Sequence, residues 1–276
     1  MRDALTLALG LVTGLLSGAF GIGGAVVSTP GVRALGASAL VAVGTTLPSI
    51  LPGAVAGTAR YQRAGLVRWP VVAVVAPVGA LASVVGSLAS HVVPGGGHWL
   101  MVATAALVGL TGLRLARGDD GGEPFAAGAA PPLPGEGASQ AASPPPRSPP
   151  ERERLRSLVL GTGAGGLSGL LGLGGGLVLL PGFVEVLRMP VREAVATSLA
   201  CVGLLAVPGT VTHAFLGDID WRLAILLAVA VVPGARLGAA ASVRLSQRRL
   251  RFLVAGVLIV LAVVYGGAEL RFVAGT

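Results

Sequence analysis

The sequence predicts an all-α integral membrane protein made of two repeats, each with four apolar segments. Of the 276 residues, 53% are hydrophobic and 12% are charged, and the mean hydropathy is +0.83, whereas a soluble domain carries about 25% charged residues. Apolar segments of about 20 residues, the length that crosses a ~30 Å hydrocarbon core, recur along the chain. A glycine-rich motif also occurs twice, which indicates that the two halves are related.

The glycine-rich motif lies in the first apolar segment of each half. Residues 14–30 read GLLSGAFGIGGAVVSTP and residues 165–181 read GGLSGLLGLGGGLVLLP, an offset of 151 positions from Pro30 to Pro181. Glycine clusters destabilise a helix, and lipid penalises unpaired backbone groups, so broken backbone at membrane depth normally lines a protein-buried or aqueous cavity. We therefore expect the first segment of each half to be broken or re-entrant at its glycine-rich turn.

Eight apolar segments fill two membrane repeats, residues 1–117 and 155–276. Past the motif the offset becomes 152, so that Trp69 matches Trp221. Residues 118–154 are rich in Pro, Gly, Ala and Ser, and such a stretch buries too little apolar surface to offset the entropy of ordering, which predicts a disordered linker. The apolar segments, in chain order, are 4–36, 38–58, 69–90, 98–116, 156–187, 193–214, 221–243 and 250–268.

The distribution of arginine favours inverted repeats, because cytoplasmic loops collect arginine. If all eight segments cross the membrane, its two sides hold 12 and 7 arginines; if the first segment of each half is re-entrant, they hold 15 and 4. We prefer the second arrangement, in which three crossings per half invert the second repeat, although eight crossings stay open. It predicts a multi-pass membrane protein with a cytoplasmic linker and outward-facing termini. Two related halves with broken helices are common in secondary transporters.

The two glycine turns form the predicted substrate site. Residues 21–24 and 172–175 would each interrupt a helix, and the helix that starts after each turn offers backbone N–H donors and a partial positive charge to an anion. The alternative is that the GxxxG patterns at 14–18 and 165–169 are close helix-packing faces. The predicted substrate-binding residues at the turns are Ser17, Gly18, Gly21, Gly23, Gly24, Ser168, Gly169, Gly172, Gly174 and Gly175.

Five polar residues elsewhere are further candidates for the substrate site. Thr45, Thr46, Thr197 and Ser198 lie within the second segment of each half, where their hydroxyls either line the cavity or bond back to their own helix. Arg236 lies at a segment centre, and a charge inside a membrane segment is by default a functional candidate. It either pairs with the anion or extends along a cavity wall.

His213 is the candidate for proton coupling, because imidazole exchanges a proton near physiological pH; a bystander role at the end of a segment is the alternative. No Asp or Glu stands at a segment centre, which argues against an enzyme that uses paired acids. No metal-ligand spacing occurs, so we expect no catalytic residue, metal or cofactor. The chain has a net charge of +8, but its arginines lie between apolar segments rather than on one soluble face. This distribution argues against nucleic-acid binding.

The doubled GxxxGxxGxGG…P motif, with ATSLA at 196–200, His213, Gly217 and DIDW at 218–221, resembles the sulfite exporter TauE/SafE family of membrane permeases. The resemblance covers both halves and leaves out the linker. It implies a multi-pass inner-membrane carrier for sulfite, sulfonates, sulfoacetate or related organic anions. The chain departs from the commoner pattern in its long Pro-rich linker and in Ala25, which stands where the second copy has Gly176.

These observations predict a permease for small anions that works by alternating access around the two glycine turns. Its expected partners are a small anionic substrate and the lipid bilayer, and self-association into a homo-oligomer stays open. The alternative function is a non-transporting membrane scaffold or assembly protein, in which the glycine segments serve helix packing only.

Overall fold

The computed structural model describes residues 2–89, 151–171 and 174–246, with further helical residues at intervals between 106 and 117 and between 248 and 267. Within these residues the chain is helical and has no strand. The predicted linker lies outside the described residues except at its end, where a helix begins at Glu151. The helices are α1 Arg2–Phe20, α2 Ala25–Ala34, α3 Ala39–Arg63, α4 Trp69–Ala89, α5 Glu151–Leu171, α6 Gly176–Pro181, α7 Val191–Leu216 and α8 Trp221–Arg244.

Five helices in the described residues are long and apolar enough to cross a membrane: α1, residues 40–63 of α3, α4, α7 and α8. The prediction of an all-α integral membrane protein is confirmed at this level. Helix α5 carries five charged residues between 151 and 156, followed by the apolar glycine motif. Helix α6 continues without a gap into a π-helical turn, Gly182–Val186. The predicted segments 98–116 and 250–268 fall largely outside the described residues.

Glycines form the turn between α1 and α2 and the turn between α5 and α6. Helix α1 ends at Phe20, and Gly21 and Gly23 follow with φ of 66° and 75°. Gly174 and Gly175 precede α6 with φ of 71° and 68°. Glycine adopts this left-handed backbone far more readily than other residues, so the two interruptions follow directly from the GxGG sequence.

The legs of the first pair of helices, α1 and α2, lie antiparallel. Gly24 packs against Thr13, and Gly31, farther along α2, packs against Leu9, which is nearer the start of α1. At the open end, the Arg2 guanidinium donates to the carbonyl of Leu35. The chain therefore returns along α2 to the end from which α1 begins.

The second pair, α5 and the helix over 176–186, repeats this arrangement. Gly175 packs against Ala164, and Gly182 packs against Leu160. The Arg156 guanidinium donates to the carbonyl of Val186 at 3.3 Å. The two glycine contacts match those of the first pair at the offset of 151, whereas Arg156 stands three positions after the counterpart of Arg2. The first segment of each half therefore folds back in the same way.

Each half packs mainly against the other half. Helix α1 makes its most extensive contact with α8, and α4 makes its most extensive contact with α5. A Cβ on Gly18 would lie less than 3.0 Å from the Ala235 carbonyl oxygen, and one on Gly169 would lie as close to the Ser83 carbonyl. Helices α3 and α7 pack together between these pairs and bury Leu47. The GxxxG patterns are thus close helix contacts.

The ends of the helices define two faces of the molecule, which we name end A and end B. End A contains residues 2–3, 35–38 and 217–222. There a guanidinium nitrogen of Arg222 lies 2.8 Å from a carboxylate oxygen of Asp3. End B contains residues 63–68, 151–156, 186–193 and 244–246. At end B, Arg68 pairs with Glu193, and Arg192 donates to the carbonyl of Leu245.

Candidate functional site

The two helix interruptions touch each other in the buried core. A Cβ on Gly176, the first residue of α6, would lie less than 3.0 Å from the backbone of Ile22, which is 1% exposed. Gly21 packs in the same way against the backbone of Val195 in α7. The structure therefore brings together the turns of the two halves, which are 151 residues apart in sequence.

Two side chains satisfy backbone carbonyls at the first interruption. The Ser198 hydroxyl, which comes from the other half, donates to the carbonyl of Gly21 at 2.8 Å. The Tyr61 hydroxyl donates to the carbonyl of Gly18 at 2.5 Å. A helix leaves its last four carbonyls without helical partners, and both donors lie where α1 ends. Ser198 was among the predicted residues, whereas Tyr61 was missed.

Replacement of Tyr61 by phenylalanine is expected to destabilise the protein by about 1–3 kcal/mol, because the buried Gly18 carbonyl loses its side-chain donor. Thermal unfolding in detergent measures this loss. Thr210→Ala is the matched control, since the Thr210 hydroxyl donates to the Ala206 carbonyl of its own helix, an acceptor that keeps a helical partner. Equal melting temperatures for the two variants would contradict the prediction.

Thr45 and Thr197 accept hydrogen bonds at the starts of helices from the opposite half. The Asp220 N–H, before α8, donates to the Thr45 hydroxyl at 2.9 Å. The Arg68 N–H, before α4, donates to the Thr197 hydroxyl at 3.1 Å. The hydroxyl oxygens of these two predicted residues therefore accept hydrogen bonds from the backbone at helix starts of the other half.

Thr46 belongs to a buried group of hydroxyls between α2 and α3. Its Oγ1 lies 3.2 Å from Oγ1 of Thr29, and the Ser49 hydroxyl donates to the Thr46 carbonyl at 2.7 Å. Ser28 donates to the Gly24 carbonyl at 3.2 Å, at the first interruption. Hydroxyls thus extend from the turn into the α2–α3 contact.

Sequence reasoning missed Ser28, Thr29 and Ser49, although the repeat contains a signal for them. The second half has Leu179, Leu180 and Cys201 at the corresponding positions. A hydroxyl that replaces an apolar residue of the other copy is a departure from the repeat, and such departures mark where the halves differ in chemistry.

The remaining predicted residues of the turns divide between helix ends and helix contacts. Ser17 and Ser168 are buried near the ends of α1 and α5, and in the described part of the chain the Ser168 hydroxyl has no hydrogen-bond partner. The Thr13 hydroxyl, beside Gly24, is buried and likewise without a partner there. Gly172 lies outside the described residues.

The Arg236 side chain lies on the exposed side of α8, beside Leu237, which is 60% exposed. His213, in contrast, is completely buried in α7, and its Nδ1 is 2.9 Å from Oδ2 of Asp218. Asp218 belongs to the DIDW turn and was not a predicted site residue. The structure thus separates Arg236 from the buried centre and gives His213 a carboxylate partner.

A polar pocket of about 260 Å³ opens at end A. It is lined by Arg2, Asp3, Asp220, Arg222 and Leu223. The N–H of Asp220 is the donor to Thr45, so the pocket wall connects directly to the inter-repeat contact.

The family model for the sulfite exporter TauE/SafE matches residues 6–265. The chain belongs to the TauE/SafE family. The match covers both halves, so the resemblance seen in the glycine motif is confirmed. No solved structure matches the chain at a significant level.

Curated relatives of this family member are named as membrane transporters. A "Probable membrane transporter protein" of Xylella fastidiosa strain Temecula1 is 26% identical over 274 residues, which is 95% of this chain and 93% of the relative. "Probable membrane transporter protein YunE" of Bacillus subtilis is 35% identical over 101 residues, 35% of this chain and 36% of the relative. The chain is therefore a membrane transporter family member and not an enzyme.

The described residues contain no group of three or more His, Cys, Asp or Glu side chains that could hold a metal ion. The polar side chains at the interruptions of this TauE/SafE family member include the buried hydroxyls of Ser17, Ser168 and Ser198, and the buried His213–Asp218 pair lies farther along α7. Such groups can donate hydrogen bonds to a small anion or carry a proton.

Proposed function

We propose that this TauE/SafE family member is a permease for a small anion, namely sulfite, a sulfonate or a related organic anion. The anion binds between the two helix interruptions, and the two repeats alternately expose it to the two sides of the membrane. The observation that carries this proposal is the contact between the interruptions, where Gly176 meets Ile22 in the buried core. Discontinuous helices that meet at the interface between repeats form the substrate site in many secondary transporters.

The arrangement supplies anion ligands without a buried cation. Helix α2 and the helix over 176–186 each start at an interruption, and a helix start carries a partial positive charge. The glycines allow close approach of the backbone. Ser17, Ser168 and Thr13 add buried hydroxyls beside these starts. A trigonal or tetrahedral oxyanion fits this set because each oxygen can accept hydrogen bonds from a separate donor.

The contacts between the helices support inverted repeats with re-entrant first segments. Both legs of the α1–α2 pair open at end A, and both legs of the second pair open at end B. Helices α3, α4, α7 and α8 then run between the ends. A membrane placed across them gives a multi-pass protein of the inner membrane, with the polar pocket at end A as the outer mouth.

The arginines orient this arrangement with end B in the cytoplasm. Among the described residues, Arg2, Arg33 and Arg222 lie at end A. End B carries many more, which matches the excess of arginine in cytoplasmic loops. The described arginines in end B or within three residues of it are Arg60, Arg63, Arg68, Arg152, Arg154, Arg156, Arg188, Arg192, Arg244, Arg248 and Arg249.

Single cysteines in a Cys201→Ala background test the orientation. Ala34 and Ala64 are exposed residues at the ends of α2 and α3, and we expect an impermeant maleimide added outside intact cells to label Ala34→Cys but not Ala64→Cys. A cysteine in the predicted 118–154 linker should also stay unlabelled. The reverse pattern would overturn the orientation, and labelling of both ends from outside would show that α3 does not cross the membrane.

Flux measurements on purified protein in proteoliposomes test the function. We expect uptake of labelled sulfite or of a small sulfonate above that of empty liposomes, and competition by the other sulfur oxyanions. A scaffold protein would show no flux of any of these anions. The close helix packing of Gly18 and Gly169 is compatible with both functions, so flux is the measurement that separates them.

A further inference from the structure

The two halves have different groups at one repeat-related position beside the interruptions. At the offset of 152 positions Tyr61 corresponds to His213, and at the offset of 151 Gly18 corresponds to Gly169. In the first half, the Tyr61 hydroxyl donates to the Gly18 carbonyl near the end of α1. The repeat therefore places His213 where a donor to the Gly169 carbonyl belongs.

Contacts through α4 agree with this placement. The carbonyl of Ser83 packs against Gly169, and the hydroxyl of Ser83 packs against Gly209. Gly209 is one helical turn before His213 in α7. The last turns of α5 and the His213 region of α7 thus meet the same residue of α4.

His213 is completely buried, and its Nδ1 is 2.9 Å from Oδ2 of Asp218. The first half has Leu66 at the position of Asp218, so the carboxylate and the imidazole both occur in the second half only. A carboxylate that accepts from Nδ1–H fixes the tautomer of a histidine and leaves Nε2 to take up a proton.

We propose that His213 binds the coupling proton of the transporter, and that the proton on Nε2 makes the side chain a donor to the Gly169 carbonyl. Tyr61 provides the permanent form of this hydrogen bond in the first half. When Nε2 loses its proton, the hydrogen bond is lost and the end of α5 is released. The Nδ1 proton stays on His213 and is donated to the Asp218 carboxylate throughout, so one proton is taken up at Nε2 and one is released from it in each cycle. This inference rests on the proposed permease function.

The elements packed around His213 supply few charges. Ser83 of α4 and Leu47 of α3 pack against Gly209, one turn before His213, and Gly44 of α3 packs against Asp218. The charged groups of the adjoining turn and helix start are Asp218, Asp220 and Arg222. Asp218 contacts the imidazole directly, so protonation of His213 forms an ion pair with it.

Melting temperatures in detergent without substrate, measured from about pH 5 to 8 where histidine titrates, test the proton site. We expect the melting temperature of the wild type to change across this pH range. His213→Tyr and His213→Gln should abolish this change, and Asp218→Asn should move it to a different pH. His91→Gln/His98→Gln is the control, because the chain has 3 histidines, and it should behave as the wild type. Retention of the change in both His213 variants would overturn the proposal.

Flux in proteoliposomes gives the second readout. A pH gradient should drive anion flux in the wild type and the control but not in His213→Tyr, which should retain exchange of anion without a gradient. Equal gradient-driven flux in His213→Tyr and wild type would overturn the proton assignment. If the wild type transports no anion under any condition, the permease function itself fails, and the melting curves still decide whether His213 binds the proton.

Discussion

Gly165→Leu is expected to prevent folding of the membrane domain. A Cβ at this position would lie less than 3.0 Å from the carbonyl oxygen of Gly79, in the contact between α5 and α4. Backbone atoms cannot move aside as a flexible side chain can, so the two helices would have to separate along their whole contact. Overpacking of a well-packed interior commonly costs about 1–3 kcal/mol even where side chains can adjust, and we expect a larger loss here.

The yield of monodisperse protein in detergent and its melting temperature measure this effect. Gly163→Leu is the matched control, since Gly163 is an exposed residue of the same helix with no other atom within 4 Å of its Cβ position. This control should fold and can gain up to about 1 kcal/mol of helix propensity. Equal yields and melting temperatures for both variants would show that the α4–α5 contact is looser than described.

Gly23→Val and Gly174→Val are expected to abolish anion flux while the protein remains folded. Both glycines have a positive φ, 75° and 71°, which costs a β-branched residue about 1–3 kcal/mol. At Gly174 the added Cβ would also lie 3.1 Å from Cγ1 of Val202 and 3.3 Å from Cδ1 of Ile50. The strain falls on the turns that shape the proposed anion site, so binding should be lost before global stability is.

Gly65 and Gly217 provide controls that are related by the repeat. They also have positive φ, 68° and 78°, and their Cβ positions have no other atom within 4 Å. Gly65→Val and Gly217→Val should lose a similar amount of stability and retain flux. Undiminished flux in Gly23→Val and Gly174→Val would reject the interruptions as the substrate site.

Much of the architecture could be predicted because it depends on local sequence. Apolar segments of membrane-spanning length predicted the helices, and the GxGG residues predicted where the first segment of each half is interrupted. Helix α1 does end at Phe20, immediately before Gly21. The glycine motif and the DIDW turn also predicted membership of the TauE/SafE family, which the family match confirms.

The partners of individual polar groups could not be predicted in the same way. Thr45 and Thr197 were candidates for the substrate, yet each accepts a hydrogen bond from a helix start in the other half. Tyr61 was missed because a single tyrosine near the end of a segment gives no sign of the carbonyl that it reaches 43 positions away, at Gly18. Arg236 was chosen for its position in the sequence, which carries no information about which side of α8 is exposed.

The sequence by itself determined the class of the protein and its family, and it predicted the apolar segments that form α1, α3, α4, α7 and α8, because hydropathy and glycine conformation are properties of neighbouring residues. Only the tertiary structure decided that the helices of each half pack mainly against helices of the other half, that the two interruptions touch, and that His213 is buried beside Asp218. The physical reason is that these contacts join residues from different helices, and their energies depend on distances between backbones that no single segment encodes.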